Sequence, residues 1–288
     1  MKINGMPLEK SFIFPGGEIQ IQLPRFHIDG RTNRIEVETN INSSDRLMEL
    51  MLVKDALDHY YSCYYTKLRL SYLPYARQDR RCCEGESFAG KVMVEILDNL
   101  QFSEIELFDV HNPHLLQYFI RTKVNHITML DVLSWKPEIL FNVDTVIAPD
   151  KGAKDKVKLV ADVFHRDFLC AQKNRDPETG KIEDIVFDCD DGILYEKILN
   201  KNVIILDDIC DGGGTFIGLA KIINEYMPKS LTMYVTHGIF SKGLAPLFEA
   251  KIDTIFTTDS FFSWNEIYKK YPNDIQYKNL EKLITLKL

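Results

Sequence analysis

Cysteine is sparse in this chain, six among 288 residues, and no CxxC pair occurs. Neither a disulfide framework nor a zinc ribbon is indicated by such spacing. The adjacent Cys82 and Cys83 could pair only with strain. Long apolar runs are missing as well: none approaches the ~20 residues needed to cross a bilayer. Lys2, Asn4, Glu9 and Lys10 interrupt any leader-like apolar core near the start. There is no surplus of positive charge. Lys and Arg number 35 against 42 Asp and Glu, a formal net charge of −7, so no bulk electrostatic case exists for nucleic acid. Gly/Ser-rich linkers, short repeats and low-complexity tracts are absent. What is present, 45% hydrophobic and 27% charged residues, is the balance of a globular protein with room for one large core or two smaller ones. The expectation is a cytoplasmic, reduced protein that binds neither nucleic acid nor membrane.

Short strand-like runs alternate with helical patterns. Leu68, Leu70 and Tyr72 alternate with Arg69 and Ser71 and stop at Pro74, and residues 105–109, 143–148, 202–206, 231–236 and 252–257 read as further strands. Leu47, Leu50, Val53 and Leu57 recur at helical spacing, with Ser44 or Asp45 as N-cap. Ala89, Val92, Ile96 and Leu100 form a second stripe introduced by Ser87. A third helix is expected over 153–164, and Phe216, Leu219, Ala220, Ile223 and Met227 mark a fourth. Such alternation favours parallel sheets with helices on both faces. The elements are too many for one compact sheet, which predicts two α/β domains, 1–134 and 135–288. Residues 172–181 are polar, contain Pro177 and Gly180 and lack an apolar face, so they read as a mobile surface loop. Lys151, Lys154, Lys156 and Lys158 read as the exposed face of a helix.

The strongest chemical signal is at 203–215. An apolar strand, Val203 to Leu206, runs into Asp207 and Asp208, then Asp211-Gly212-Gly213-Gly214-Thr215, then an amphipathic helix. Glycines let backbone N–H groups turn toward an anion, and the helix N-terminus adds a favourable dipole. Thr215 can add a hydroxyl or cap the helix. Carboxylates do not bind phosphate, but they accept hydrogen bonds from vicinal sugar hydroxyls. Phosphate beside ribose is therefore the chemical reading. No GxxxxGK[ST] occurs, and Ile217 stands where GxGxxG needs its last glycine, which disfavours P-loop kinases and Rossmann dehydrogenases.

Residues 207–215 resemble the phosphoribosyl-diphosphate signature shared by type I phosphoribosyltransferases and ribose-phosphate diphosphokinases (PRPP synthetases). Other segments resemble the second family. Tyr75-Ala76-Arg77-Gln78-Asp79-Arg80-Arg81 is similar to its YARQDR(R/K) segment, and Phe14-Pro15-Gly16-Gly17-Glu18 to its F-x-D/N-G-E segment. Leu47-Met48-Glu49-Leu50 with Asp55-Ala56-Leu57 resembles its preceding helix, Phe108-Asp109-Val110-His111 its D-L/M-H strand end, and Ala148-Pro149-Asp150-Lys151-Gly152 its S-P-D-x-G loop. The resemblance implies two tandem phosphoribosyltransferase-type (Rossmann-like) domains with mostly parallel sheets. It also implies transfer of the β,γ-diphosphoryl group of ATP to O1 of ribose 5-phosphate.

By that resemblance, Asp207, Asp208, Asp211, Gly212, Gly213, Gly214 and Thr215 hold ribose 5-phosphate. Arg77 and Gln78 hold ATP, while Phe14, Gly16, Gly17 and Glu18 reach adenine from a neighbouring subunit of a homo-oligomer, a dimer or hexamer. His111 and Asp150 are implied as Mg²⁺-associated positions. Lys173 and Arg175 match the catalytic K-R-R segment, with Asn174 in place of the middle Arg. Several positions depart from the family pattern. Gly16 replaces its Asp or Asn, Asn112-Pro113-His114 replaces A-x-Q, and the basic segment after YARQDR becomes Cys82-Cys83-Glu84-Gly85-Glu86. The competing readings are a phosphoribosyltransferase that consumes PRPP and a catalytically silent regulatory relative. The first has no evident use for Arg77-Gln78 and 14–18, and the second should lack the cationic pair Lys173 and Arg175.

Overall fold

The computed structural model describes residues 1–25, 34–61, 64–175, 182–262, 266 and 283–288. The chain divides into two compact units, Met1–Ile127 and Thr128–Leu288. In the first, the elements are β1 (Lys2–Ile3), β2 (Met6–Pro7), β3 (Lys10–Ile13), β4 (Ile19–Gln22), β5 (Arg34–Thr39), α1 (Ser44–Tyr61), β6 (Tyr65–Leu70), α2 (Ala89–Asn99), β7 (Glu104–Phe108), a 3-10 turn Pro113–Tyr118 and β8 (Lys123–Ile127). The main sheet has the order β2-β1-β5-β6-β7-β8. It is parallel from β5 to β8, and β3 and β4 form a separate antiparallel hairpin.

Strands β5 to β8 are neighbours in the sheet in the order in which the chain makes them. Connections of one hand between successive parallel strands fall on one side. Accordingly Leu50, Val53 and Leu57 of α1, Met93, Val94 and Leu97 of α2, and Leu115 of the 3-10 turn share a single core with Ile35, Val37, Leu68, Leu70, Ile105 and Leu107. The expected two-faced layering does not arise from these three elements. The alternate strand positions carry charge instead. Lys67 Nζ sits 2.5 Å from Glu106 and 3.9 Å from Glu104, Arg69 pairs with Glu106 at 3.4 Å, and Tyr65 donates to Glu104. Lys67, Glu104 and Glu106 are buried, which their mutual pairing permits.

Local boundaries differ from the sequence reading for physical reasons. Ser43, one residue before the expected cap, accepts from the Arg46 amide at the start of α1. The buried side of α2 is Gly90, Met93, Val94, Leu97 and Asp98, while Val92 is exposed. No side chain caps this helix, so Ser87 does not introduce it by that means.

The second unit contains α3 (Met129–Trp135), β9 (Thr145–Ala148), α4 (Lys154–Val163), β10 (Asp167–Arg175), β11 (Ile182–Phe187), α5 (Asp191–Ile198), β12 (Asn202–Cys210), α6 (Gly214–Glu225), β13 (Ser230–Gly238), α7 (Ala245–Glu249), β14 (Thr254–Thr258) and β15 (Leu283–Leu286). Its sheet order is β11-β10-β9-β12-β13-β14-β15, parallel except for β11. Helices α5, α6 and α7 share a core with Ile147, Val203, Ile205, Met233 and Val235. Helix α4 packs on β9 and β10, and α3 on α4. Here helices do cover both faces. Among the described residues no helix is long and apolar enough to cross a membrane.

Asp98, at the end of α2, is 1% exposed. It accepts from the amides of Arg121 and Thr122, both at 3.0 Å, and so ties the helix to the approach of β8. Burial pushes its carboxyl up, but the amides of Arg121, Ile120 and Thr122 outweigh that and hold it below its ordinary 3.8. A depressed folded value gives stability that is present above the unfolded value and lost as pH falls through the folded one. Asp98→Asn is expected to lose on the order of 1–3 kcal/mol of urea stability at pH 7. Its deficit against wild type should shrink as the pH drops below about 4.

Candidate active site

Strands β9 and β12 lie side by side in parallel register, from Val203 opposite Thr145 to Ile205 opposite Ile147. The chain leaves them in opposite directions, from β9 through α4 to β10 on one flank and from β12 through α6 to β13 on the other. The crevice between two such departing connections is where open α/β sheets take up ligands. Residues 149–153 border it from β9, and 211–213 from β12.

Strand β12 runs on to Cys210, so Asp207 and Asp208 belong to the sheet itself, whereas the sequence reading ended the strand at Leu206. Asp208 is 2% exposed. Lys156 of α4 places its Nζ 2.8 Å from Asp208 Oδ1 and 3.7 Å from Asp207 Oδ1. Lys156 is therefore not an exposed helix-face lysine. It pairs with the two carboxylates, and sequence reasoning missed it. The signal was its place beside Val157, on the edge of the buried stripe Val157, Val160 and Ala161. Lys154 and Lys158 do behave as surface residues, paired with Asp188 and Asp162. The Asp207 carboxyl is held well above its ordinary 3.8, first by burial, then by the neighbouring Asp208 charge, with Lys156 pulling the other way and Asp150 adding to the rise. Asp150 itself accepts from the Ala153 amide at 3.1 Å and braces the turn after β9.

The glycine loop closes the other side. Gly213 adopts φ +74° and stands at the N-cap of α6, where no side chain caps. Thr215 lies inside the helix, so its capping role does not hold. A Cβ on Gly213 would be strained by that φ and would come 3.1 Å from Leu247 Cδ2. Cys210, at the strand end, is pushed up to about 12 by burial and by Asp207 and Asp211. At neutral pH it stays a thiol, the form that is the weaker nucleophile.

In the first unit, residues 75–78 form a turn in which the Gln78 amide donates to Tyr75 O at 2.9 Å and the Gly90 amide to Gln78 O at 3.0 Å. Gly90 is required there, because a Cβ would stand 3.0 Å from both carbonyl oxygens. Arg77 and Gln78 are exposed on this turn. Asn112 donates to Asp79 at 2.6 Å and accepts from the His114 amide, which joins the turn to the segment carrying the exposed His111. Phe14, Gly16, Gly17 and Glu18 form the exposed tip between β3 and β4, closed by the Phe14 amide on Glu18 O, with the Phe12 and Phe14 rings 4.9 Å apart. Glu86 accepts from the amides of Cys82 and Cys83.

Residues 172–175 are not loop but the end of β10, paired with β11 through Lys173 opposite Ile185 and Arg175 opposite Ile182. A neighbouring strand satisfies their backbone groups, so the run needs no apolar face of its own. Residues 176–181 lie outside the described residues, as do the side chains of Lys173 and Arg175.

A mostly parallel sheet with a switch point, an acidic pair near the end of its central strand and a glycine loop opening the next helix together define a phosphoribosyl transferase type of domain. Residues 135–275 match the phosphoribosyl transferase domain family. Over 261 residues the chain is 30% identical to a ribose-phosphate pyrophosphokinase of Mycoplasmopsis pulmonis, covering 90% of this chain and 78% of that protein. It is 28% identical to a protein of the same name from Pyrococcus abyssi, over 86% of this chain and 82% of the other. The chain belongs to the ribose-phosphate pyrophosphokinase family. The crystal structure of phosphoribosylpyrophosphate synthetase from Mycobacterium smegmatis shares the fold, with a TM-score of 0.73 at 21% identity over 96% of this chain and 85% of that one.

The raised Asp207 carboxyl has a stability consequence of definite sign. A group whose folded value lies above its unfolded one stabilises at low pH and loses that contribution as pH rises through the folded value. Asp207→Asn should therefore melt higher than wild type at pH 8, with the difference vanishing below about pH 4. Lys156→Met should act in the opposite sense at pH 8. It leaves the buried Asp208 without this partner, at a cost of about 3 kcal/mol, and adding Asp208→Asn should recover most of the loss. Calorimetric melts of the variants across pH check both signs.

Proposed function

We propose that the chain transfers the β,γ-diphosphoryl group of ATP to O1 of ribose 5-phosphate, giving PRPP and AMP. The observation that carries this reading is the acidic pair Asp207–Asp208 at the switch point, separated by three residues from the Gly212–Gly214 loop at the α6 N-terminus. Carboxylates beside a nest of amides match a sugar diol beside a phosphate. In this reading Asp207, Asp208 and Asp211 accept from the ribose hydroxyls, and Gly212, Gly213, Gly214 and Thr215 meet the 5-phosphate.

Arg77 and Gln78 are assigned to ATP: the guanidinium fork suits phosphate and the amide suits polar atoms of the nucleotide. Lys173 and Arg175 are assigned to the transferring group, where charge on the phosphoryl oxygens grows as the bond to the leaving group stretches. The exposed hairpin tip, with Phe12, Ile13 and Phe14 at 43%, 60% and 46% exposure, is assigned to a neighbouring copy in a cytoplasmic homo-oligomer.

Magnesium is assigned to Asp150 and His111. Among the described residues no group of three His, Cys, Asp or Glu side chains is placed to hold a metal alone. Mg²⁺ is bound by one or two carboxylates together with substrate phosphates and water. When bound, it neutralises charge on the phosphate oxygens.

The deciding assay incubates the purified protein with ATP, ribose 5-phosphate and Mg²⁺. AMP with PRPP is the expected outcome; ADP, or no turnover, overturns the reading. Lys173→Ala should lower kcat by about 10²–10³-fold with little change in either KM, as expected for a contact that strengthens in the transition state. Near-normal kcat removes Lys173 from that role. Asp211→Ala should weaken ribose 5-phosphate binding and leave ATP binding unchanged, read by separate calorimetric titrations; equal losses refute the assignment.

A further inference from the structure

We infer that Lys242 binds the phosphomonoester of the sugar substrate, its side chain laid along the glycine loop by a fixed turn. The inference rests on the assignment of ribose 5-phosphate to residues 207–215.

The turn follows β13 and is stitched to the end of β12. The amides of Ile239 and Phe240 donate to Cys210 O at 2.9 and 3.1 Å, and the Ser241 amide donates to Asp211 O at 3.0 Å. Gly243 closes the turn by donating to Phe240 O at 2.9 Å, with φ +46° at Phe240 and +79° at Gly243. Phe240 is fully buried, and its ring occupies the space that a Cβ on Gly238 would need. Lys242 is thereby carried on a short, doubly anchored segment beside the loop.

Its stem runs over Gly212. Lys242 Cγ, Cδ and Cε lie 3.9, 3.6 and 3.5 Å from the point where a Gly212 Cβ would stand. The methylenes rest on the loop, which keeps the ammonium, one bond beyond Cε, at the loop's edge, in the manner of a snorkelling lysine.

Charge supplies the reason. Asp207, Asp208 and Asp211 cluster at the end of β12 and in the loop, and Lys156 is engaged at 2.8 Å with Asp208. A phosphate dianion held on the loop amides meets repulsion from those carboxylates. Backbone N–H groups and the helix dipole offset only part of it. A lysine at the loop contributes a full positive charge to a phosphate as a point partner.

The test is calorimetric titration of ribose 5-phosphate and, separately, of ATP into wild type, Lys242→Met, Lys242→Arg and Lys242→Glu. Lys242 is exposed, so the variants are expected to fold, and methionine keeps the apolar stem. Expected is a loss of about tenfold in ribose 5-phosphate affinity for Met, more for Glu, and recovery to within about threefold for Arg, with ATP unchanged throughout. The order Met, then Glu, is one that a merely structural role would not produce. Ribose 5-phosphate affinity within about twofold of wild type in Lys242→Met, or equal loss of ATP affinity, overturns the inference alone. A wild type that binds no ribose 5-phosphate overturns it together with the proposed function.

Discussion

Placing two carboxylates next to each other in a buried strand works against folding, and much of the second unit is arranged around that cost. Desolvation and mutual repulsion both favour the neutral acid, as the raised Asp207 carboxyl records. An ammonium works against that cost: Lys156, brought in from α4 at 2.8 Å from Asp208. That contact requires α4 to pack on β9 and β10, which in turn requires β9 to lie beside β12. The neighbouring glycine loop is set by the same strand end, since β12 delivers Gly213 directly into the first turn of α6. Local destabilisation of this kind is typical of sites whose charges are meant for a ligand rather than for the fold.

The two units show how strand order governs layering. Both are built from alternating strands and helices, so their sequences look alike at that level. Strands laid down in succession put α1, α2 and the 3-10 turn into one core in the first unit. The reversal at β9 distributes helices to both faces in the second. The sequence nevertheless carries a trace of the difference. Strands β6 and β7 alternate apolar with charged residues, whereas β9 and β12 carry apolar residues in succession. That is the distinction between strands with one apolar face and strands apolar on both.

The glycine loop and the strands leading to it were legible because their signal is local: apolar runs, turn residues and their spacing. The Lys156 contact with the acidic pair was not, because the rest of α4, β10, β11, α5 and most of β12 separate Lys156 from Asp208, and nothing in the helical pattern of α4 names its partner. The cap at the start of α6 was misread for a related reason. Threonine is a favoured capping residue, but the backbone at Gly213 takes a left-handed conformation that only the folded loop imposes. Residues 172–175 lacked an apolar face, and their strand character comes from pairing with β11, a tertiary fact. On α2 the stripe was displaced by one position, enough to put Val92 outside and Met93 inside, because several apolar residues in succession satisfy more than one helical phase.

The strand orders also bear on how the two units assemble in time. In the first, each strand from β5 to β8 pairs with the next one made, so ordering can spread along the chain one crossover at a time. The centre of the second sheet is different. Joining β9 to β12 encloses α4, the β10–β11 ribbon and α5 before the two strands meet. The entropy of closing that span must be met before the pairing returns anything. Lys156 approaches Asp208 only across that junction, so the carboxylates gain their counter-charge at the step that completes the sheet. Until then they remain solvated, and the crevice for ligand does not exist apart from the finished fold of its own unit.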